Sequence, residues 1–279
     1  MTYKTILAVI QGNEDLDRVL DCALALAARH GAHVIGVHSE PIPMPYVTPM
    51  GFPDTDFLVA NAQASQKRGA EIKARFEART VREGTSCEWH DIDSISGDSA
   101  VGALSIARTC DLIVVQQVDP QDASGSLANV EALLFESGRP VLFVPYATGV
   151  SPAFQKVIVA WNGTQQAARA VFDALPFITA ADETEILMLD AEDDGRQDRA
   201  VAGVDIASAL ARHGAKVRYS SDVSGDIGIG EAIENRIIEG GADLLVMGAY
   251  SQSWLKEFFF GGATRTLLKS MPTATLMSR

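Results

Sequence analysis

Eight short runs in this chain are apolar almost throughout, where a half-exposed strand would alternate. They are Thr5–Ile10, His33–His38, Leu112–Val115 and Val141–Val144, then Val157–Trp161, Glu185–Leu189, Leu244–Met247 and Thr273–Met277. Runs this short and this apolar fit strands buried on both faces, which is the mark of a parallel sheet. Parallel neighbours need a long crossover, and helical spacing fills the gaps between the runs. Asp15 to His30 puts Leu16, Val19, Leu20, Ala23, Leu24 and Ala27 on one stripe and stops at Gly31. Gln165 to Leu175 repeats the plan with Ala168, Val171, Phe172 and Leu175, and a further helix is predicted over Asp56–Thr80. Strands alternating with helices give βαβ units, right-handed crossovers and a doubly wound α/β sheet.

The two halves match each other in order. Lys4-Thr-Ile-Leu-Ala-Val-Ile-Gln-Gly12 resembles Lys156-Val-Ile-Val-Ala-Trp-Asn-Gly163. Gly97-Asp98 precedes a predicted helix, as Gly225-Asp226 does. Cys110-Asp-Leu-Ile-Val-Val115 resembles Ala242-Asp-Leu-Leu-Val-Met247, and Pro140-Val-Leu-Phe-Val144 resembles Pro272-Thr-Ala-Thr-Leu276. Landmarks repeated in one order, offset by about 130–150 residues, point to an internal duplication. Gly149, Ser151 and Pro152 punctuate the join, so the domains are predicted at residues 1–147 and 154–279. The first half carries an extra proline-rich stretch, Pro41–Asp54, read as a surface excursion.

Composition removes several function classes. A formal net charge of −13 repels nucleic acid and anionic membrane surfaces in the far field. No stretch approaches the roughly 18 apolar residues of a membrane span, and the first residues lack a basic secretory leader. The expected location is cytoplasmic. Cys22, Cys87 and Cys110 have no metal-ligand spacing and read as small core residues.

The second half ends in Val246-Met-Gly-Ala-Tyr-Ser-Gln-Ser-Trp-Leu-Lys-Glu-Phe-Phe-Phe-Gly-Gly-Ala-Thr-Arg-Thr-Leu-Leu268. This resembles the signature of the universal stress protein family: a glycine after strand four, a second three residues on, nine residues, then Gly-Ser/Thr opening the last helix. Gly248 matches the first glycine, Ser251 occupies the second, Gly261 matches the third, and Gly262 occupies the Ser/Thr position. The resemblance implies two tandem flavodoxin-like domains, each a five-stranded parallel sheet, pairing through their last strands. Val141–Val144 and Thr273–Met277 are then the edges that meet. It also implies an adenine nucleotide, ATP foremost, at the carboxyl ends of the second-half strands, with magnesium only as the ion accompanying it.

Carried over residue by residue, the resemblance places Asn162 at the ribose and Leu189 beside the adenine. Met247 and Gly248 lie under base and ribose, and Ser251, Gly261, Gly262, Ala263 and Thr264 surround the phosphates. The chemistry fits this pattern. A glycine at a strand end admits a ligand close to backbone, and a helix N-terminus favours phosphate. Three departures weaken the expected binding. Asn162 keeps an acceptor but not the charge of the family's Asp, Ser251 resists a positive φ, and Gly262 offers no hydroxyl. At on the order of 1–2 kcal/mol each, they amount to roughly tens-fold to a few thousand-fold. Thr164, Lys256 and Arg265 stand near enough in sequence to compensate.

The first half departs further. After Val115 comes Gln116-Gln-Val-Asp-Pro-Gln-Asp-Ala-Ser-Gly125, with no Gly-x-x-Gly and two carboxylates where phosphate would lie. This half is expected to bind no ATP and to serve as scaffold. No phosphate-loop Gly-Lys-Ser/Thr and no Gly-x-Ser-x-Gly elbow occurs, and no acid–base pair suggests a mechanism. His38 and His90 lack a nucleophile partner and read as structural, Trp161 and Trp254 as packing residues, and Gly228-Ile-Gly230 as a helix start. The expected function is a stress-response regulator that binds nucleotide without turning it over. The alternatives are a nucleotide-free scaffold acting through protein partners, and a slow nucleotide hydrolase. A homodimer of chains is compatible with either binding reading.

Overall fold

A computed structural model of the chain describes residues 2–42, 55–119, 129–190, 199–249 and 270–279. The first half runs β1 (Thr5–Ile10), α1 (Asn13–His30), β2 (His33–Pro41), α2 (Thr55–Glu83), β3 (Cys87–Ser94), α3 (Ser99–Gly102), α4 (Leu104–Ala107), β4 (Leu112–Gln116), α5 (Val130–Glu136) and β5 (Val141–Val144). The second runs β6 (Lys156–Ala160), α6 (Gln165–Asp173), α7 (Leu175–Ile178), β7 (Glu183–Leu189), α8 (Arg199–Arg212), β8 (Val217–Asp222), α9 (Ile229–Gly240), β9 (Leu244–Gly248) and β10 (Ala274–Ser278).

All the described strands join one ten-stranded sheet in the order β3-β2-β1-β4-β5-β10-β9-β6-β7-β8. Each half is parallel and repeats one strand order. The halves meet antiparallel, with Val141, Leu142 and Phe143 opposite Met277, Leu276 and Thr275. The seam joins the two edges expected from sequence. Its cause is plain: β5 and β10 are fully buried, apolar but for Thr275 and Ser278, and as free edges they would template aggregation. Burying a Leu276 or a Phe143 contributes about 1.5–3 kcal/mol. The halves also touch off the sheet. Tyr3 donates its hydroxyl to the Asp173 carbonyl at 2.6 Å, and its ring packs against Phe177 with centroids 5.2 Å apart. Burial raises the Tyr3 pKa well above its ordinary value.

The repeated Asp-Leu landmark has a local job in both halves. Asp111 accepts the backbone N–H groups of Lys4 and Thr5 at 2.7 and 2.9 Å, and so fixes the start of β1. Asp243 does the same for Gln155 and Lys156 at 2.8 and 2.9 Å before β6. These are charge-assisted bonds, and each pins one strand to its parallel neighbour.

Two apolar cores line the two faces of the sheet. One collects α1, α2, α6, α7 and α8, the other α3, α4, α5 and α9. The predicted stripe of α1 is wholly buried, and Gly31 closes the helix at φ 60°. Gly228 caps α9 at φ 82°, as its place before the helix suggested. Cys22 and Cys110 are buried free thiols, pushed up by burial to pKa values of about 12 and about 11.

The strands that sequence reading did not locate are β3 and β8. Both are outermost in the sheet, and their sequences, CEWHDIDS and VRYSSD, mix polar with apolar residues. A strand with one neighbour and a wet side needs no continuous apolar run. β2 runs to Pro41, beyond the predicted His38, and α2 extends to Glu83. Residues 43–54 of the proline-rich stretch lie outside the described residues.

Candidate functional site

Strand register brings the carboxyl ends of β6, β7 and β9 side by side. Ala160 pairs with Leu187 on one side and with Met247 on the other. Asn162 follows β6, Leu189 ends β7, and Met247-Gly248 ends β9, so these four expected site residues share one edge of the sheet. Ser251, Gly261, Gly262, Ala263 and Thr264 lie outside the described residues, as do Lys256, Arg265 and Trp254.

Two of the four have local duties. The Asn162 Oδ1 accepts from the Thr164 N–H at 3.2 Å and from its hydroxyl at 2.7 Å. Thr164 Oγ1 in turn accepts the Ala167 N–H at 3.2 Å and caps α6. A ribose hydroxyl would share that oxygen with the cap. Gly248 was expected to leave room for a ligand. A Cβ there would instead lie 2.5 Å from Ala167 N and from Gln166 C, so the glycine lets the first turn of α6 sit on β9. Trp161 packs half-buried against the core, as its size suggested.

Sequence reading missed Asp190. It follows Leu189 at φ 50° and accepts both the N–H of Ser224 at 2.8 Å and its hydroxyl at 2.5 Å. Those bonds hold its carboxyl below the usual range and tie the ends of β7 and β8 together. The signal was an Asp at a strand end, where αL is tolerated.

At the carboxyl edge of the first half lies a cleft of about 590 Å³, within the range of small-molecule sites. Its lining comes from the ends of β1, β2 and β4 and from the turn before α3. Asp15, in the first turn of α1, reaches back to the N–H groups of Gln11 and Gly12 at 2.9 and 2.8 Å. Burial raises its pKa from 3.8 to about 6, against those two bonds. Asp98 caps α3 by accepting from Ala100 and Val101 at 2.9 and 3.2 Å, and its other oxygen takes the Asn129 N–H at 3.0 Å. Glu40 is held by Arg68 at 2.7 Å and by His38 Nε2 at 3.2 Å. His38, 3% exposed, is bonded through its other ring nitrogen to the Ile10 carbonyl at 3.0 Å. It is thus the satisfied structural histidine expected from sequence. Gln11 and Gly12 were recognised as the strand end here. Gln117 was read as part of the run after the fourth strand, whereas Ser39 and Arg68 were not singled out, because β2 was predicted to stop short of Ser39 and Arg68 carries no motif.

Among the described residues, no group of three or more His, Cys, Asp or Glu is placed to hold a metal ion. None of the described helices is long and apolar enough to cross a membrane.

A family model, that of the universal stress protein family, matches residues 2–133. Residues 2–133 are thus similar to the universal stress protein family. The second half repeats the strand order of this universal stress protein domain and completes a tandem α/β arrangement. Among solved structures, a universal stress protein from Archaeoglobus fulgidus DSM 4304 superposes with TM-score 0.73 at 15% identity, covering 99% of this chain and 98% of that one. A putative universal stress protein from Pseudomonas aeruginosa UCBPP-PA14 gives TM-score 0.62 at 15% identity, covering 99% and 93%. At such identities the likeness is one of fold, here of both halves at once. A search of curated proteins finds no match. The family match falls on the half whose loop looked least like the motif. The fold of that half is therefore recognisable in its sequence without a phosphate loop.

Proposed function

We propose that this universal stress protein is a cytoplasmic stress-response regulator that binds an adenine nucleotide weakly in its second half and does not turn it over. The observation that carries the reading is the shared edge of Asn162, Leu189, Met247 and Gly248, set by the β7-β6-β9 register. Ligands of open α/β sheets sit at such carboxyl edges. Gly261-Gly262 would then offer backbone N–H groups to phosphate at a helix start. Binding shifts a conformational or partner equilibrium by no more than its differential affinity, so a weak site suits a sensor of high nucleotide levels. In this reading the domains are residues 1–147 and 154–279, and the first takes no ATP.

A second reading, a nucleotide-free scaffold, is favoured by the commitments of Asn162 to Thr164 and of Gly248 to α6. Titration calorimetry of ATP, ADP and AMP into nucleotide-stripped protein separates the two, with Gly261→Val as control. Micromolar heat lost in the variant supports the nucleotide reading. Absence of heat, with no nucleotide in the unstripped protein, sinks it in favour of the scaffold.

A further inference from the structure

Three arginines converge on the turn between α5 and β5, and none of them meets a carboxylate among the described residues. Arg108, just after α4, gives its Nε and Nη2 to the Glu136 carbonyl, each at 3.4 Å. Arg139, at the end of the turn, gives its Nε to the Arg108 carbonyl at 3.1 Å. The Arg279 guanidinium lies over the Phe135 ring, 4.7 Å from its centroid. A fourth arginine, Arg169 of α6, reaches the Gly138 carbonyl at 3.3 Å but is neutralised by Asp173 at 2.8 Å. Arg108 and Arg279 are exposed, and Arg139 is half-buried.

The sheet sets two of the three against each other. Met277 lies opposite Val141 in the seam, and the same register carried two residues further sets Arg279 opposite Arg139. Both continue the sheet face of Met277 and Val141, the face that α4 and α5 cover. Like charges directly opposite on antiparallel strands repel. Elsewhere the chain answers its arginines with acid, as Arg68 sits on Glu40 and Arg236 on Glu185. At this turn the partners are neutral carbonyls and a ring, which fix the side chains and cancel no charge. They also leave N–H groups unused: Arg108 Nη1, both Nη groups of Arg139, and the whole fork of Arg279. In a chain of net charge −13 this is a local reversal of sign, made where the two halves meet.

Guanidinium forks pair with carboxylate and with phosphoryl oxygens, but the two differ in reach. A carboxylate presents two oxygens in one plane and suits one fork, whereas linked phosphoryl groups present oxygens in several directions and suit several forks at once. Arg279 already covers Phe135, so the ring is not free to pack an apolar ligand body. We propose that this turn is an anion site for a small ligand with two linked phosphoryl groups, which bridges Arg108 and Arg139 of the first half to Arg279 of the second. The site stands at the end of the seam and uses no residue of the first-half cleft or of the β7-β6-β9 edge. Its ligand relieves the repulsion between Arg139 and Arg279 and fastens the halves together.

The test is calorimetric titration of inorganic pyrophosphate into the full-length chain and into Arg139→Gln, Arg279→Gln and Gly261→Val, with citrate as the carboxylate comparison. Pyrophosphate is expected to bind one to one, tighter than about 1 mM at low salt, and more weakly as salt rises. Arg139→Gln and Arg279→Gln should each weaken it about tenfold, and Gly261→Val should leave it unchanged. Citrate should bind at least about tenfold more weakly than pyrophosphate. ADP titrated into Gly261→Val protein separates the two sources of a diphosphate. Affinity equal to that of pyrophosphate means that the site reads the diphosphate alone, and tighter binding that Arg279→Gln weakens means that an ester is its ligand. Arg279→Gln removes a repelled charge, so without anion it should melt no lower than wild type, which separates lost binding from lost folding. The proposal fails if pyrophosphate does not bind, if citrate equals it, or if either arginine variant binds it at full strength. It fails equally if Gly261→Val abolishes the binding.

Discussion

Phe143 lies directly opposite Thr275 in the antiparallel seam. Phe143 stands three residues after Pro140 and Thr275 three after Pro272, so each faces the residue that holds its own place in the other half. That is the geometry of a two-fold axis passing through one residue pair. A symmetric dimer of single domains would make the same contact, with one patch meeting its copy. Here the chain connects the two copies, and residues 145–155 bridge them.

Cutting the chain should therefore restore the dimer. A fragment of residues 1–147 exposes β5 as an apolar edge. It is expected to elute as a dimer or larger species by light scattering, and Phe143→Asp in the fragment should return it to monomer. A monomeric wild-type fragment would show that the seam does not drive association.

Glu185 sits 3% exposed on β7 between two arginines, Arg218 at 2.6 Å and Arg236 at 2.7 Å, with Ser220 donating a further hydrogen bond. Burial alone would raise its pKa, but the bonds from Arg236 and Ser220 and the charge of Arg218 win and hold it below its usual value. Glu185→Ala leaves those donors facing an empty site and should cost about 2–3 kcal/mol in urea unfolding. Because the folded pKa is lowered, this stability is present above the unfolded value near 4 and fades as pH falls. The gap between wild type and variant should thus shrink below about pH 4. A constant gap across that range would place the cost in packing alone.

Asp15 has the opposite sign. Its folded pKa is raised from 3.8 to about 6, so between those values the folded state keeps a proton that the unfolded chain has lost. Its contribution is full below about pH 4 and falls as pH rises to about 6, by roughly 3 kcal/mol in total. Asp15→Asn does not titrate. The stability of wild type relative to the variant should drop across that window and stay level above pH 7, as measured by urea unfolding at matched pH values. A flat difference would mean that Asp15 ionises as readily in the fold as out of it.

What the sequence revealed follows from which forces leave a pattern. Central strands are buried on both faces, so Leu112–Val115 and Leu244–Met247 were legible as unbroken apolar runs. The duplicated Asp111 and Asp243 were legible as repeats, though their clamp on the next strand was not. Outer strands such as β3 answer to one neighbour and to water, so their residues carry no strong period. The first-half cleft was illegible for another reason. Gln11, Ser39 and Gln117 are far apart in sequence and meet only through register, and no local spacing encodes that meeting. Gly248 was legible as a glycine required by geometry, but the pattern did not say which geometry.

That ambiguity at Gly248 is open to direct test. If the missing side chain served only a ligand, Gly248→Ala would leave the empty protein as stable as wild type and weaken nucleotide binding alone. The packing makes a different demand. The new methyl would meet the backbone of Gln166 and Ala167 at 2.5 Å, and a helix turn cannot swing aside as a side chain does. The first turn of α6 must then lift from β9, carrying the Thr164 cap and its bond to Asn162 with it. Overpacking of this kind costs about 1–3 kcal/mol, so Gly248→Ala should lower the melting temperature of nucleotide-free protein by several degrees. Loss of the cap adds to that, and hydrogen exchange should rise at Ala167 and Ala168 before it rises elsewhere. An unchanged melting temperature with unchanged exchange in α6 would return Gly248 to the ligand.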